Sequence, residues 1–252
     1  MFNWKARLRA AGIHFGISLA IAALAAHLVF GLWYPYPYRE ISGGRELFFL
    51  VVTVDVILGP LITFSIFSRS KPKKELRRDL AVVGLVQLAA LSYGLWTVFV
   101  ARPVHLVFEY NRFRVVHAID IPAELMGKLP AGIDAQPVFG PTLLSLRPFR
   151  DSEEQINATM AAVQGVSLSA RPDLWQAYEL ARADVLKTAK PVAELRARFP
   201  DRTAAIDQVV TATGRDPRTL AYVPLAGRKS FWTVFIDAGT AQVVGFMPLD
   251  SF

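Results

Sequence analysis

The sequence predicts a membrane protein in which three transmembrane α-helices precede an α+β extracytoplasmic domain with a small, mostly antiparallel sheet. The first hundred of the 252 residues contain three apolar runs joined by short polar connections. Charge divides in the same way, because residues 1–100 carry 11 Lys and Arg against 5 Asp and Glu, whereas residues 101–252 carry 17 against 16. The second part alternates between strand-like and helix-like segments, which is typical of an α+β domain.

The three apolar runs cover about residues 10–33, 46–67 and 80–100. Their lengths match the ~20 residues that a helix needs to cross a ~30 Å hydrocarbon core. The first run follows a basic start and contains Ala23-Leu24-Ala25, so a cleaved signal peptide is the alternative to a retained span. We favour retention because the run continues to Trp33 and the second run follows closely.

The polar connections predict the orientation in the membrane. Three basic residues precede the first run, two lie in the first connection, and six lie in the second connection, residues 68–79. Short cytoplasmic segments are enriched in Lys and Arg, so the amino terminus and residues 68–79 are predicted to be cytoplasmic. Three crossings then place residues 101–252 on the opposite side of the membrane.

The second run contains an acid, Asp55, near its middle and a proline, Pro60, five residues later. An ionised carboxylate at the bilayer centre costs about 2.5–3.5 kcal/mol, so Asp55 is expected to face protein or to find a hydrogen-bond donor. Pro60 has no N–H group and leaves a carbonyl of the preceding turn without its usual partner. At ~1.5 Å of rise per residue, His27 and Tyr93 lie at similar depths to Asp55, and Gln87 lies deeper.

Three interpretations of Asp55 remain open. In the first, Asp55 and His27 form a hydrogen bond inside a three-helix bundle. In the second, Asp55, Gly59 and Pro60, with His27 and Tyr93 nearby, form a notch that binds the membrane helix of a partner, because small residues allow close helix approach. The third interpretation is proton or ion translocation, for which one acid and one histidine give little support.

The external part predicts strands at its two ends and helices between them. Alternating apolar residues predict the strands, whereas capping residues, helical spacing, and proline and glycine boundaries predict the helices. The predicted strands are residues 104–110, 112–118, 142–146, 222–227, 231–237 and 241–247, and the predicted helices are residues 153–163, opened by a capping box at Ser152, 172–187, 191–199 and 202–213.

No pattern in the sequence indicates catalysis. The chain has no cysteine, no phosphate-binding loop and no nucleophile or zinc-protease motif. A metal site built on His105 and His117 would need Glu109 or Asp120 nearby, and histidines on a sheet surface are more often simply solvated. We therefore predict no enzyme, cofactor or metal site, and the nearly neutral second part predicts no nucleic-acid partner.

Several passages of the first half resemble a known family. They are WYPYPY and GGRELFFL, then VDVILGPLITF, and the segment that runs from Arg77 to Val116. In these passages the chain is similar to the type IV pilin accessory proteins of the TfpX/TfpZ family. The resemblance implies a protein of the bacterial inner membrane, with a periplasmic domain, that assists or modulates assembly of a cognate type IV pilin during pilus biogenesis.

The resemblance also implies the partners and the manner of action. The partners are the lipid bilayer and the pilin subunit, which is held in the membrane by its apolar helix. The action on the pilin would be chaperone-like. The residues expected to bind the partner are Asp55, Gly59, Pro60, His27 and Tyr93. The alternative function is a membrane-anchored periplasmic sensor or small-ligand-binding protein, although the predicted cytoplasmic segments are too short for an effector domain.

Overall fold

The computed structural model describes residues 4–68 and 71–252, so Arg69, one of the six basic residues of the predicted cytoplasmic connection, lies outside the described residues. The chain divides into two compact units. The first contains the residues up to Arg39 together with Gly43–Ala101, and the second contains Glu40–Ser42 together with Arg102–Phe252.

Within residues 4–68 and 71–252, three helices are long and apolar enough to cross a membrane. They are α1 (Trp4–Trp33), α2 (Gly44–Ile66) and α3 (Lys73–Val100). All three begin before the predicted apolar runs because helical hydrogen bonding continues into the polar segments that precede them. This arrangement confirms the predicted fold class at the level of three apolar helices followed by a mixed domain.

Two of the membrane helices contain a wider, π-helical turn. One is Val29–Trp33 at the end of α1, and the other is Val54–Leu58 in the middle of α2. The second turn lies directly before Gly59 and Pro60, where proline removes a backbone donor. The turn therefore marks the place where the regular hydrogen-bond ladder of α2 is interrupted, as the sequence predicted.

A small apolar core lies in the first unit, where the end of α1, the start of α2 and the end of α3 meet. The buried residues that form it are Ala25, Val29, Tyr34, Phe48 and Val98. Tyr34 is fully buried, and its hydroxyl donates to the Val98 carbonyl oxygen at 3.0 Å. This bond ties the segment that follows α1 to the end of α3.

Among the described residues, eight strands form one sheet in the second unit. The strands are β1 (Pro103–Glu109), β2 (Arg112–His117), β3 (Thr142–Leu146), β4 (Trp175–Ala177), β5 (Lys190–Pro191), β6 (Leu220–Ala226), β7 (Phe231–Asp237) and β8 (Val243–Met247). The order across the sheet is β4-β3-β1-β2-β6-β7-β8, and β5 pairs with β6. The pairs β1–β3 and β2–β6 are parallel, and the others are antiparallel. The sheet is mostly antiparallel, as predicted.

Four α-helices connect the strands of the described part of the second unit, namely α4 (Ser152–Val163), α5 (Arg182–Thr188), α6 (Val192–Arg198) and α7 (Thr203–Ala212). The predicted cap of α4 is wrong by one residue, because the Asp151 side chain, rather than that of Ser152, accepts the Glu154 N–H at 2.7 Å. An aspartate placed one residue earlier fits the N-cap position equally well.

The predicted helix over residues 172–187 is wrong in its first half. Pro172–Leu174 forms a 3₁₀ turn, Trp175–Ala177 forms β4, and only Arg182–Thr188 is α-helical. The Trp175 indole is buried and donates to the Ser169 carbonyl oxygen at 2.8 Å. Packing and strand pairing therefore outweigh the helical spacing of this segment.

Candidate functional site

Asp55 lies in the π-helical turn of α2, where its side chain is only partly buried. Gln87 of α3 approaches the same turn, and its amide donates to the backbone carbonyl of Asp55 at 3.1 Å. Gly59 makes this approach possible, because a Cβ at that position would clash with the Gln87 amide. Gly59, which lies on the same face of α2 as Asp55, is therefore the point where α2 and α3 approach closely.

A groove of about 290 Å³ runs between α2 and α3 beside Asp55. We call it the Asp55 groove. Its walls are apolar except for Asp55, Tyr93 and Thr97. The residues that line it are Val51, Val54, Asp55, Ala90, Leu91, Tyr93, Gly94, Thr97 and Val98. Tyr93 lies at the rim, is 68% exposed, and has its ring 5.9 Å from that of Trp96.

A second, smaller cleft of about 180 Å³ opens on the other side of Asp55, towards α1. Asp55 and Leu91 line both spaces. The polar residues of this second cleft include His14, Ser18 and Gln87. His14 is also fixed by a 2.5 Å contact between its Nδ1 and the Thr63 hydroxyl. Asp55 therefore has polar neighbours within the helices on one side and a mostly apolar open groove on the other.

The predicted hydrogen bond between Asp55 and His27 is not formed among the described residues. His27 is exposed on α1, and its ring lies within 3.8 Å of a Cβ built on Gly31. The buried face of α1 carries Ser18, Ala22 and Ala25 instead. Asp55 instead lines a cleft together with residues 14–21 of α1, so it lies opposite an earlier part of α1 than His27.

The five predicted partner-binding residues are therefore only partly brought together. Asp55 and Tyr93 line the Asp55 groove. Gly59 and Pro60 are buried next to it in α2, where they shape the backbone instead of presenting a surface. His27 is apart from the groove. Val51 and Gly94 line the groove but were missed, because an apolar and a small residue in a membrane helix carry no distinguishing local signal.

Two buried histidines lie in the second unit, each with its own surroundings. His105 contacts the Thr142 hydroxyl at 2.7 Å and the Ala135 carbonyl oxygen at 3.0 Å, and burial lowers its pKa to about 4. Nδ1 of His117 contacts the Asp120 carboxylate at 3.0 Å, and burial lowers the pKa of His117. In the described part of the chain, no group of three or more potential ligands could hold a metal ion.

Comparison with known proteins gives matches over nearly the whole chain. The fimbrial assembly protein of serogroup I from Dichelobacter nodosus is 36% identical over 249 residues, which is 96% of this chain and 94% of the relative. The chain belongs to the fimbrial assembly protein family. The serogroup E1 protein of the same organism is 35% identical over the same length, and that of serogroups C1 and C2 is 44% identical over 119 residues, 47% of this chain and 88% of the relative.

The family assignment has a local counterpart at the amino terminus. The family model named Fimbrial assembly protein FimB matches residues 2–43, which include α1 and the segment after it. No solved structure matches the chain significantly. The predicted resemblance is thus confirmed at the level of a family of fimbrial assembly proteins.

Proposed function

We propose that this protein is an inner-membrane accessory protein of the TfpX/TfpZ kind, which assists or modulates the assembly of a cognate type IV pilin. The observation that carries the proposal is the similarity, over 96% of the chain, to a fimbrial assembly protein. The three apolar helices support a place in the membrane. The excess of Lys and Arg in residues 68–79 supports a cytoplasmic amino terminus and a periplasmic second unit.

The Asp55 groove is where we propose that the membrane helix of the pilin binds. Its walls offer mainly apolar side chains, and the small side chain of Ala90 leaves room for the backbone of a partner helix. Asp55 adds a polar group for which a donor on the partner would compensate the cost of burial in hydrocarbon. A mostly apolar groove with a single carboxylate favours a particular register of the incoming helix.

The protein acts in this proposal by binding, without catalysis or a cofactor. Binding of the pilin helix in the groove would prevent non-specific contacts of the pilin subunit until that subunit joins the fibre. This protection is the chaperone-like part of the proposed role. The near balance of charge in residues 101–252, 17 basic against 16 acidic, supports a protein rather than a nucleic acid as the periplasmic partner.

Asp55→Leu tests the groove, with Thr63→Val as its matched control. Both changes remove a polar group of α2, but Thr63 contacts His14 and does not line the groove. We expect Asp55→Leu to reduce both co-purification of the pilin and the number of pili, and Thr63→Val to leave both near the wild-type level. Immunoblots of the membrane fraction establish that the two variants accumulate equally.

Full pilin association and full piliation with Asp55→Leu would contradict the groove as the binding site. A normal pilus count in a strain that lacks the protein would contradict the function itself.

The orientation of the protein in the membrane is tested separately by reporter fusions at the carboxyl terminus. Alkaline phosphatase fused there is expected to be active, and a fluorescent reporter that works only in the cytoplasm is expected to be inactive.

A further inference from the structure

A further cleft, of about 420 Å³, lies wholly within the second unit. It opens where the parallel strands β2 and β6 separate. Their pairing ends at Arg114 and Ala226, and β2 continues to His117 beyond the end of β6. Residues 165–170 and the turn after β6 complete the walls. We call this space the His117 cleft, and its size is within the range of small-molecule sites.

His117 lines this cleft, and its ring has one nitrogen without a hydrogen-bond partner in the described part of the chain. Its side chain is 1% exposed, and its Nε2 atom has no hydrogen-bond partner among the described residues. An unpaired buried polar atom is rare in proteins and calls for an explanation. His105 is a useful contrast, because it is equally buried but has a partner at each ring nitrogen.

Asp120 determines which ring nitrogen of His117 carries the proton. Its Oδ2 lies 3.0 Å from Nδ1 and also accepts the His117 backbone N–H at 3.2 Å. Burial raises the pKa of Asp120, but the hydrogen bonds from the His117 side chain and backbone, together with the charge of Arg228, outweigh burial, so the pKa lies below its ordinary value. An ionised carboxylate only accepts hydrogen bonds, so the proton is on Nδ1 and the lone pair of Nε2 is left without a donor from the residues that the structure describes.

Two arginines, Arg114 and Arg228, line the same cleft. Arg228 donates to Asp120 at 2.6 Å, and Arg114 donates to Glu109 at 3.3 Å. Each makes one hydrogen bond within the part of the chain that the structure describes, so each retains N–H groups for a ligand. Guanidinium groups match the geometry of carboxylates particularly well. The cleft thus offers one buried acceptor together with two sources of charged donors.

We propose that the His117 cleft binds a group in which an N–H donor lies next to a carboxylate. The N–H would donate to His117 Nε2, and the carboxylate would accept from Arg228 and Arg114. This chemistry occurs in a free α-amino acid and at the carboxyl-terminal end of a polypeptide. The site lies away from the membrane helices in sequence and does not depend on the proposed role in pilin assembly.

Four probes separate the features that the cleft should recognise. Glycine represents the free amino acid and N-acetylglycine represents a chain end, whereas acetate lacks the N–H and N-acetylglycinamide lacks the carboxylate. The full-length protein in detergent micelles, labelled with ¹⁵N-histidine, reports binding through the Nε2 resonance of His117. The chain has only four histidines, so substitution assigns each signal.

Glycine, N-acetylglycine or both are expected to shift the His117 Nε2 resonance saturably, and the stronger of the two identifies the source of the ligand. Acetate and N-acetylglycinamide are expected to bind about tenfold more weakly, because each loses one of the two interactions. Failure of both carboxylate probes to shift the resonance, or equal binding of acetate, would overturn the proposal.

Variants test whether the contacts are the ones named. His117→Asn keeps an amide near the position of Nδ1, and hence the contact with Asp120, but lacks Nε2. We expect it to weaken binding about fivefold to tenfold, and His105→Asn to leave binding unchanged. Arg228→Gln changes an exposed side chain and should weaken carboxylate binding without affecting folding, with Arg218→Gln as its exposed control. Unchanged affinity in both His117→Asn and Arg228→Gln would refute the site.

Discussion

Gly94→Ala tests the close packing of α2 against α3 at the Asp55 groove. A Cβ on Gly94 would lie 2.6 Å from both γ-carbons of Val51. Carbon atoms in favourable contact lie about 3.5–4.0 Å apart, so the two helices would have to separate locally by about 1 Å. Val51 is β-branched and cannot rotate away freely in a helix. Overpacking of this kind typically costs about 1–3 kcal/mol.

The cost can be measured as the free energy of unfolding in mixed micelles. SDS is added to the purified protein in dodecyl maltoside, and the loss of helix is followed by circular dichroism. We expect Gly94→Ala to lower the unfolding free energy by about 2 kcal/mol. Gly84→Ala on the same helix is the control and should cause little change, because a Cβ there meets nothing within 4 Å.

A compensating change tests the physical reason directly. Val51→Ala makes space opposite Gly94, so the double variant should recover most of the stability that Gly94→Ala alone loses. A coupling of at least about 1 kcal/mol between the two sites is expected for residues in contact. Wild-type stability of Gly94→Ala, or purely additive effects in the double variant, would refute the packing argument.

Two further predictions concern the second unit. Hydrogen bonds from Arg147 and from the Arg150 backbone N–H lower the pKa of Glu154 to about 2, so its stabilising effect is present at neutral pH and is lost as the pH falls from its ordinary pKa towards about 2. Glu154→Gln should lower the unfolding free energy by about 1 kcal/mol at pH 7 and should not change it near pH 2. The control Glu153→Gln should not change the unfolding free energy at either pH. Equal losses for Glu154→Gln at both pH values would contradict this prediction. Tyr178→Phe removes a buried 2.6 Å hydrogen bond to the Ala241 carbonyl oxygen and should lower the unfolding free energy by about 1–2 kcal/mol. An unchanged unfolding free energy would contradict a stabilising role for that bond.

The strands at the two ends of the second unit could be predicted well from the sequence. Thr142–Leu146 forms β3 as predicted, and Phe231–Asp237 forms β7. Alternating residues and turn residues are local signals, and here the sheet uses them without conflict. The short strands Trp175–Ala177 and Lys190–Pro191 could not be predicted, because each is defined by its pairing with a distant strand.

The failed helix before Arg182 shows the limit of helical spacing. Helix propensities of ordinary residues differ by less than about 0.7 kcal/mol, whereas burying an indole releases several times more free energy. Trp175 is 1% exposed and packs against the His105 ring at 4.5 Å. Spacing indicates which side chains need burial, but it does not identify the surface that buries them.

The membrane site illustrates the same limit in another form. Depth in the bilayer follows from residue number, and it placed His27 and Tyr93 at the level of Asp55. Side-chain packing sets both the rotation and the relative shift of the helices. It places Asp55 opposite residues 14–21 of α1, leaves His27 exposed and brings Gln87 against the Asp55 turn. Residue number alone therefore does not identify which residue contacts Asp55, because the contact depends on how the helices pack.

His105 and His117 differ in their hydrogen bonds, although the residue patterns around them are alike. His105 and His117 lie on neighbouring strands, are equally buried, and are equivalent in the sequence as histidines within alternating apolar segments. His105 has both ring nitrogens paired within the fold, whereas His117 has one ring nitrogen unpaired among the described residues and lines a cleft that two arginines also line. Because folding leaves few buried acceptors unpaired, this difference indicates a position where the fold alone does not complete the set of contacts. A ligand that donates a hydrogen bond would complete it.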